Sequence, residues 1–219
     1  MENMNNNIYK TETHMHVSEA SPCSHVCAKD MVKLYHDAGY TTLFVTDHLT
    51  ENVLKKLGAT SFDEGIDLFL KGYEAALEEG TRLGVRVLLA AELSLKDNVH
   101  NHYLLYGVDK KFLSARADIF SMTPSAFYDY AKQNGVTVIQ AHPYRDGQSV
   151  PMPHTVDAFE AYNTSPRHDN FTDQTLALAK AHGFPVTCGS DAHRLEDIGL
   201  GGVVTEHSIK YIPPYIRYH

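Results

Sequence analysis

The sequence predicts an α/β barrel, and two patterns along its 219 residues lead to that prediction. Apolar strands alternate with helical segments, which is typical of a parallel sheet covered by helices. About seven such units follow one another without a long linker, which favours a closed barrel over an open sheet. We expect a single domain over residues 1–219, with a flexible segment at 1–7 and a C-terminal tail at 205–219.

The strands are predicted from alternation and from apolar runs. In the first strand, residues 8–16, every second side chain from Ile8 to His16 lies on one face. The later strands are near-continuous apolar runs, as in a sheet buried on both faces. They are expected at 41–46, 85–93, 102–108, 136–141, 158–162 and 185–188, with a short strand at 203–204.

Capping residues locate the helices between these strands. Ser61 and Glu64 have the spacing of a capping box, which begins a helix that runs to about Leu83. Thr123 followed by Pro124 begins another helix, with proline at the first helical position. Two more helices are expected at 28–38 and 171–182, each followed by a glycine that can end a helix.

Composition narrows the functional classes. The formal charge is −8, so the protein does not attract polyanions through its overall field, and nucleic-acid binding by a basic face is disfavoured. Three dispersed cysteines form no disulfide framework, which suits a reducing compartment. The polar start lacks a signal-peptide core, and no apolar run is long enough to cross a bilayer. We expect a cytoplasmic protein without a membrane partner.

Histidines and acids recur where the predicted strands end. The chain has 14 histidines, about three times the share of an ordinary soluble protein. Carboxyl ends of parallel strands meet on one face, so side chains at these ends are expected to lie together. One such histidine is more often structural, but the recurrence at strand after strand favours a metal site. The residues at these ends are His14, His16, His48, Glu92, His142, Asp191 and His193.

The spacing of these residues suits metal binding. His14 and His16 are one residue apart on a strand, so both rings point to the same side and can chelate one ion. Asp191 and His193 repeat that spacing with a mixed pair of donors. Imidazoles accept zinc, iron or manganese, and a carboxylate can bridge two ions. We therefore predict a centre of two or three divalent metal ions, with Zn, Fe or Mn as the candidates.

Seven short segments carry a resemblance to a known family. They are THMH (13–16), CSH (23–25), TDH (46–48), AEL (91–93), NHYLLYG (101–107), AHPYR (141–145) and GSDAH (189–193). In this order they resemble the PHP superfamily, named from polymerase and histidinol phosphatase, over about residues 9–204. The resemblance implies a distorted seven-stranded (β/α) barrel that holds a trinuclear metal site.

The resemblance also implies which residues hold each metal. The first metal would be held by His14, His16, Glu92 and Asp191. The second would share Glu92 and add His102 and His142, and the third would be held by His25, His48 and His193. His100 also precedes the strand at 102–108, so it stays open as an alternative to His102.

The resulting hypothesis is hydrolysis of a small phosphate ester by metal-activated water, with a phosphomonoesterase of the histidinol-phosphatase type expected first. Asp191 and His193 are candidates for catalysis as well as for metal binding. Arg145 is a candidate phosphate clamp, because its guanidinium fork matches phosphate oxygens, and Arg194 is a second arginine of this kind. His168 or His193 could protonate the leaving oxygen.

Three other functions stay open. An amidohydrolase also uses a His-X-His pair and a late aspartate, but no lysine that could be carboxylated lies at a plausible strand end. An exonuclease and a non-catalytic metal-binding module are the other two. Cys23 and Cys27 have a spacing that zinc sites use, although one further cysteine in the chain makes a structural zinc there a minor alternative. The sequence leaves the substrate, the oligomeric state and the role of the tail undecided.

Overall fold

The computed structural model describes residues 8–96 and 101–209. The predictions for residues 1–7, for His100 and for the tail beyond 209 lie outside this part of the chain. Its strands are β1 Tyr9–Met15, β2 Tyr40–Val45, β3 His48–Leu49, β4 Arg86–Ser94, β5 His102–Tyr106, β6 Thr137–Ala141, β7 Ala158–Asn163, β8 Val186–Gly189 and β9 Val203–Thr205. Its α-helices are α1 Ala28–Asp37, α2 Glu51–Lys56, α3 Phe62–Leu83, α4 Lys110–Ser114, α5 Pro124–Gln133 and α6 Thr172–His182. Three 3₁₀ turns lie at Ile119–Ser121, Arg145–Gly147 and Leu195–Asp197.

The strands form one curved sheet that nearly closes on itself. Their order is β8-β7-β6-β5-β4-β2-β1-β9, with β3 paired to β4. Beyond the end of β8, Ala192 forms a parallel bridge to Met15, and Thr13 Oγ1 donates to the Cys188 carbonyl at 2.7 Å. These contacts join β8, at one end of the sheet, to β1, which is next to the other end, so the predicted distorted barrel is confirmed.

The sheet is not wholly parallel, and on this point the prediction was wrong. Strand β5 runs antiparallel to both of its neighbours, β4 and β6. The connection from β4 to β5 spans only residues 95–101, which is too short for the crossover that a parallel pair needs. Strand β9 is also antiparallel, to β1 at the sheet edge.

Capping residues mark the starts of the main helices at the predicted positions. Ser61 Oγ accepts from the Glu64 backbone N–H at 3.3 Å, and Thr123 Oγ1 accepts from the Ala126 N–H at the same distance. The Glu64 carboxylate departs from a full capping box, because it accepts from Thr60 rather than from Ser61. The short helices α2 and α4 were not predicted.

The long helix α3 packs closely against the sheet. A Cβ at Gly80 would lie 2.4 Å from Val87 Cγ2, so glycine is what allows the helix and β4 to approach this closely. The apolar side chains of α1 and α3 continue this layer into a core that includes Met31, Val32 and Ala76. None of the helices in the described residues is long and apolar enough to span a membrane. The packing leaves the carboxyl ends of β1, β4, β6 and β8 on one open face.

Candidate metal centre

The side chains at these strand ends converge. His14 is the next-to-last residue of β1 and His16 follows that strand, and their Nε2 atoms lie 3.1 Å apart. His48 lies on β3 and His193 follows β8, yet their Nε2 atoms are 3.4 Å apart. The ring of His16 lies between them, with centroids 4.2 Å from each ring. The structure therefore brings histidines far apart in sequence into one cluster.

Three overlapping groups within this cluster could hold a metal ion. In each group the donor atoms lie within 4.8 Å of one another. The groups are His14, His16 and Glu92; His48, Glu92 and His102; and His16, His48 and His193. Glu92 belongs to two groups, which fits the bridging role that the resemblance implies.

The Glu92 carboxylate lies at the centre of the cluster and is fully buried. Its Oε1 is 2.9 Å from His102 Nδ1 and 3.0 Å from His142 Nε2. Its Oε2 is 2.6 Å from His48 Nδ1, but no hydrogen bond of acceptable geometry reaches that oxygen. A buried carboxylate oxygen surrounded by imidazole nitrogens and left without a proper donor fits a position for a cation.

Hydrogen bonds to the far nitrogens fix how two of the rings are turned. His14 Nδ1 donates to Glu160 Oε1 at 2.9 Å, and His193 Nδ1 donates to the Asp191 carbonyl at 2.9 Å. In both rings the Nε2 lone pair then points into the cluster. Metal-binding histidines usually have such a partner, because it fixes the tautomer and the ring orientation.

Two of the predicted ligands have a strained backbone conformation. His142 and Asp191 have positive φ angles of 32° and 53°, a region that residues other than glycine rarely adopt. The strain turns each side chain from its strand end into the cluster. Asp191 Oδ1 there lies 3.1 Å from His16 Nε2, and Asp191 Oδ2 lies 2.8 Å from an Arg145 guanidinium nitrogen.

The electrostatics of the site favour the ligand forms of several residues. Burial raises the pKa of Asp191, but the charge of His14 and the hydrogen bond of His16 outweigh it, so this pKa lies well below its usual value. Burial raises the pKa of Glu92 likewise, and the charges of His102 and His48 bring it well below normal. Burial and the charge of Arg145 lower the pKa of His142 to about 4. Ionised carboxylates and a neutral imidazole are the forms that bind metals.

Two other imidazoles show the opposite tendency. Burial opposes protonation of His14, but the charges of Glu160 and Asp191 raise its pKa well above normal. The charge of Glu92 likewise raises the pKa of His48 well above normal, against the effect of burial. The carboxylates thus attract positive charge to these positions, and a divalent cation would supply that charge in place of the protons.

Three buried carboxylates support the cluster from behind. Glu160 accepts from His14, and its second oxygen accepts from the His142 backbone at 3.2 Å. Glu12 accepts from the backbone N–H groups of His14 at 2.9 Å and of Ser190 at 3.0 Å, which ties β1 to β8. Asp47 accepts from Val17 N–H and from the Ser21 hydroxyl rather than pointing to a metal. Sequence analysis missed Glu160, although a glutamate inside the buried strand β7 was a usable signal.

A pocket of about 370 Å³ opens beside the cluster. All four residues predicted for catalysis, Asp191, His193, Arg145 and His168, line it. Arg167, which the sequence did not single out, also lines the pocket and is held by Asp197 through two contacts of 2.6 and 2.7 Å. The pocket further contains Cys23, His48, His102, Ser165 and Arg194.

The structure does not bring His25 into the site. Its side chain is exposed, and it belongs neither to the three donor groups nor to the pocket wall. Its backbone N–H donates to the His193 carbonyl at 2.8 Å, so the residue is near the site while its ring is not part of it. His102 is present in a donor group, whereas its alternative, His100, lies outside the described residues.

Comparison with known proteins gives one match in sequence and several matches in fold. Residues 171–211 match the PHP-associated family, and no curated protein matches the chain. PsfC from Pseudomonas syringae superposes with a TM-score of 0.63 at 20% identity, covering 94% of this chain and 86% of its own. An amidohydrolase from Chromobacterium violaceum superposes with a TM-score of 0.61 at 14% identity, covering 87% and 90% of the two chains.

A third structure is a two-domain protein from Bacteroides vulgatus that contains a predicted PHP-like metal-dependent phosphoesterase. It superposes with a TM-score of 0.57 at 18% identity over 88% of this chain, which corresponds to 55% of the longer protein. At these identities the superpositions show a shared fold, and the match over residues 171–211 adds a sequence link. The chain therefore shares its fold with a PHP-like protein and matches the PHP-associated family in sequence over residues 171–211.

Proposed function

We propose that this protein is a metal-dependent phosphoesterase that hydrolyses a small phosphate monoester. The observation that carries the proposal is the pocket, in which the donor cluster meets the guanidinium groups of Arg145, Arg167 and Arg194. The chain as a whole is acidic, with a formal charge of −8. A local concentration of cationic groups in such a protein indicates a site for an anionic ligand.

The donor set fits divalent cations, because it combines imidazoles, carboxylates and a buried carboxylate oxygen without a proper hydrogen-bond donor. We propose two or three ions of Zn, Fe or Mn. His14, His16, Glu92 and Asp191 would hold one, and Glu92 with His102 and His142 would hold another. When bound, the metals would supply Lewis acidity that activates water and neutralises charge on the phosphoryl group.

The protein's own side chains would bind and orient the phosphate. Arg145 is prepositioned for this, because its Nε donates to Asn170 Oδ1 at 2.9 Å and one terminal nitrogen lies 2.8 Å from Asp191. A guanidinium fixed in this way loses little freedom when it binds phosphate oxygens. Arg194 is more exposed, and its ion pair with Glu196 is long at 3.8 Å, so it remains available to the substrate.

A proton donor for the leaving oxygen is also present in the pocket. His168 Nδ1 donates to Asp146 Oδ2 at 2.8 Å, which holds the ring by one nitrogen and leaves the other free. We assign His168 the delivery of a proton to the leaving oxygen. Since that ring is partly exposed, it can exchange its proton with solvent between turnovers.

Amidohydrolases are a second candidate class, because one of the structures that share this fold is an amidohydrolase. Another contains a predicted PHP-like metal-dependent phosphoesterase. Among the described residues no lysine lines the pocket, so the residue that carries a carboxylated amine in many amidohydrolases has no counterpart there. The arginines favour a phosphate ester over a neutral amide or lactone.

The test is to supply p-nitrophenyl phosphate, a simple amide and a lactone to the metal-loaded protein. We expect phosphate release only, and we expect Asp191→Asn to reduce it by roughly two orders of magnitude or more while circular dichroism stays unchanged. Hydrolysis of the amide or lactone without phosphate release would reject the proposal. Cleavage of single-stranded DNA in preference to the monoester would instead assign a nuclease.

The cysteines indicate the compartment in which the protein works. Its three cysteines are all unpaired, and we propose that it works in the reducing cytoplasm on a small phosphorylated substrate.

A further inference from the structure

The loop between β1 and α1 places Cys23 at the outer edge of the donor cluster. Cys23 lines the same pocket as His48 and His193, and its thiol faces the rings of both histidines. Those two rings are themselves close, with Nε2 atoms 3.4 Å apart. A sulfur and two imidazoles therefore meet at one place, where the resemblance had implied three histidines.

We propose that Cys23, rather than His25, is the third protein ligand of a metal ion held by His48 and His193. This inference rests on the metal centre of the proposed function and identifies one of its ligands. It gives the outer metal a set of one sulfur and two nitrogens, with a position left for water or a substrate oxygen.

The conformation of the loop holds Cys23 in this position from both sides. On one side, Ser21 Oγ donates to Asp47 Oδ1 at 2.7 Å and accepts from the His48 backbone N–H at 3.0 Å. On the other side, Ser24 Oγ donates to the His16 carbonyl at 3.0 Å. A backbone hydrogen bond of 2.8 Å from Ser24 N–H to the Ser21 carbonyl closes a turn around Cys23.

The same anchoring excludes His25 from the metal position. Its backbone N–H is held by the His193 carbonyl at 2.8 Å, so its main chain cannot move inward without losing that bond. Its side chain, unlike that of Cys23, is not part of the pocket wall. To bind the metal, His25 would have to displace a thiol that already contacts both histidines.

The chemistry of the sulfur agrees with this position. A cysteine sulfur beside two imidazole rings is a donor set that zinc accepts. The thiolate is the form that binds metals. Cys27, four residues further on, instead donates to Asp30 Oδ2 at 3.3 Å, so the two cysteines do not form a zinc pair of their own.

A thiolate changes which metal suits the outer position. Soft sulfur ligands favour zinc or iron over manganese, whereas the inner positions carry only imidazoles and carboxylates. We therefore expect the outer position to discriminate against manganese. The centre would then contain one site whose metal preference differs from that of its neighbours.

The experiment uses Co²⁺ as the probe, because a thiolate bound to cobalt gives a near-ultraviolet charge-transfer absorption that imidazole and carboxylate do not. Metal-free full-length protein is titrated with Co²⁺, and bound metal is counted by elemental analysis. We expect the absorption in the wild type and in His25→Ala and Cys27→Ala. In Cys23→Ala we expect the absorption to be lost together with about one equivalent of cobalt.

The outcomes separate this inference from the proposed function. Absorption that persists in Cys23→Ala, or one equivalent of cobalt lost in His25→Ala but not in Cys23→Ala, would overturn the assignment of Cys23. Absorption that depends on Cys23 in a protein that releases no phosphate from any ester would support the ligand while rejecting the phosphoesterase. If Cys23→Ala does not fold, Cys23→Ser provides the second variant, since it keeps the size of the side chain and also removes the absorption.

Discussion

The replacement Glu160→Gln tests whether the buried carboxylate behind His14 controls the metal centre. Glu160 is 1% exposed and lies on β7, without direct access to the pocket. Its two oxygens accept from three N–H donors: His14 Nδ1 at 2.9 Å, the His142 backbone at 3.2 Å and Asn163 Nδ2 at 2.8 Å. A glutamine has the same shape but only one acceptor oxygen. In either orientation, at least one of these donors would face an NH₂ group.

The expected effect follows from this mismatch. Loss of an outer partner of a metal-binding histidine weakens metal affinity by about 10–100-fold. That factor corresponds to about 1.4–2.7 kcal/mol of binding free energy. The stabilisation that a metal adds at a fixed concentration falls by the same amount. For a chain of this size, each kcal/mol corresponds to about 2–4 °C, so the metal-induced rise in Tm should shrink by about 3–11 °C.

The assay is calorimetric unfolding of metal-free and metal-loaded protein at one fixed Zn²⁺ concentration, with chelator competition to measure affinity directly. Comparing the metal-induced rise in Tm, rather than Tm itself, removes the effect of the mismatch on the stability of the metal-free protein. Glu74→Gln is the matched control, because Glu74 is an exposed glutamate on α3 that pairs, within residues 8–96 and 101–209, with Lys71 alone. An unchanged Zn²⁺ affinity in a folded Glu160→Gln protein would show that the carboxylate does not govern the ligands.

Two further changes test neighbouring parts of the same site. Gly189→Ala would place a Cβ 2.5 Å from His14 Cβ and 2.7 Å from Glu160 Oε1, so it should lower both metal content and stability, the latter by about 1–3 kcal/mol in chemical denaturation; normal metal content would contradict the close approach at this glycine. Arg145→Lys keeps the charge but loses the fork that Asp191 and Asn170 orient, so KM for a phosphate ester should rise by about tenfold with a smaller change in kcat; an unchanged KM would remove Arg145 from substrate binding.

Much of the fold could be predicted because its signals are local. The apolar runs located the principal strands, and the caps at Ser61 and Thr123 marked where α3 and α5 begin. Strand direction is not a local signal, and β5 was assumed to be parallel. The number of residues between β4 and β5 was the available evidence, since so short a connection permits only an antiparallel pair.

In the site, too, residues on strands follow a periodic pattern that can be predicted, whereas residues in loops do not. His14 and His16 were placed correctly on one face because a strand alternates strictly, and their Nε2 atoms do meet. No such rule applies to the loop that contains Cys23 and His25. These residues are two positions apart, and only the hydrogen bonds of Ser21 and Ser24 decide which side chain faces the centre. Glu160 was overlooked for another reason. It contacts Nδ1 of His14, the ring nitrogen that faces away from the cluster, and the sequence patterns of metal ligands do not include such a residue.

Burial divides the centre into an inner and an outer part. The side chains of His14, His16 and Glu92 are fully buried, whereas those of His48, His193 and His102 are 18%, 16% and 31% exposed. Solvent and substrate therefore reach the centre from the outer side, which is also where Arg145, Arg167 and Arg194 line the pocket.

The two parts also differ in how their ligands are held. Among the inner histidines, His14 is oriented by Glu160, a buried carboxylate on a strand of the barrel. At the outer edge, His193 is held by a backbone carbonyl, and Cys23 belongs to a loop. Strand positions are set by the barrel as a whole, but a loop can change its sequence and length without disturbing the sheet. An outer ligand on that loop can therefore change its residue type or shift by two positions while the inner centre stays intact, so we expect family resemblance to be a weaker guide to the loop ligand than to the strand ligands.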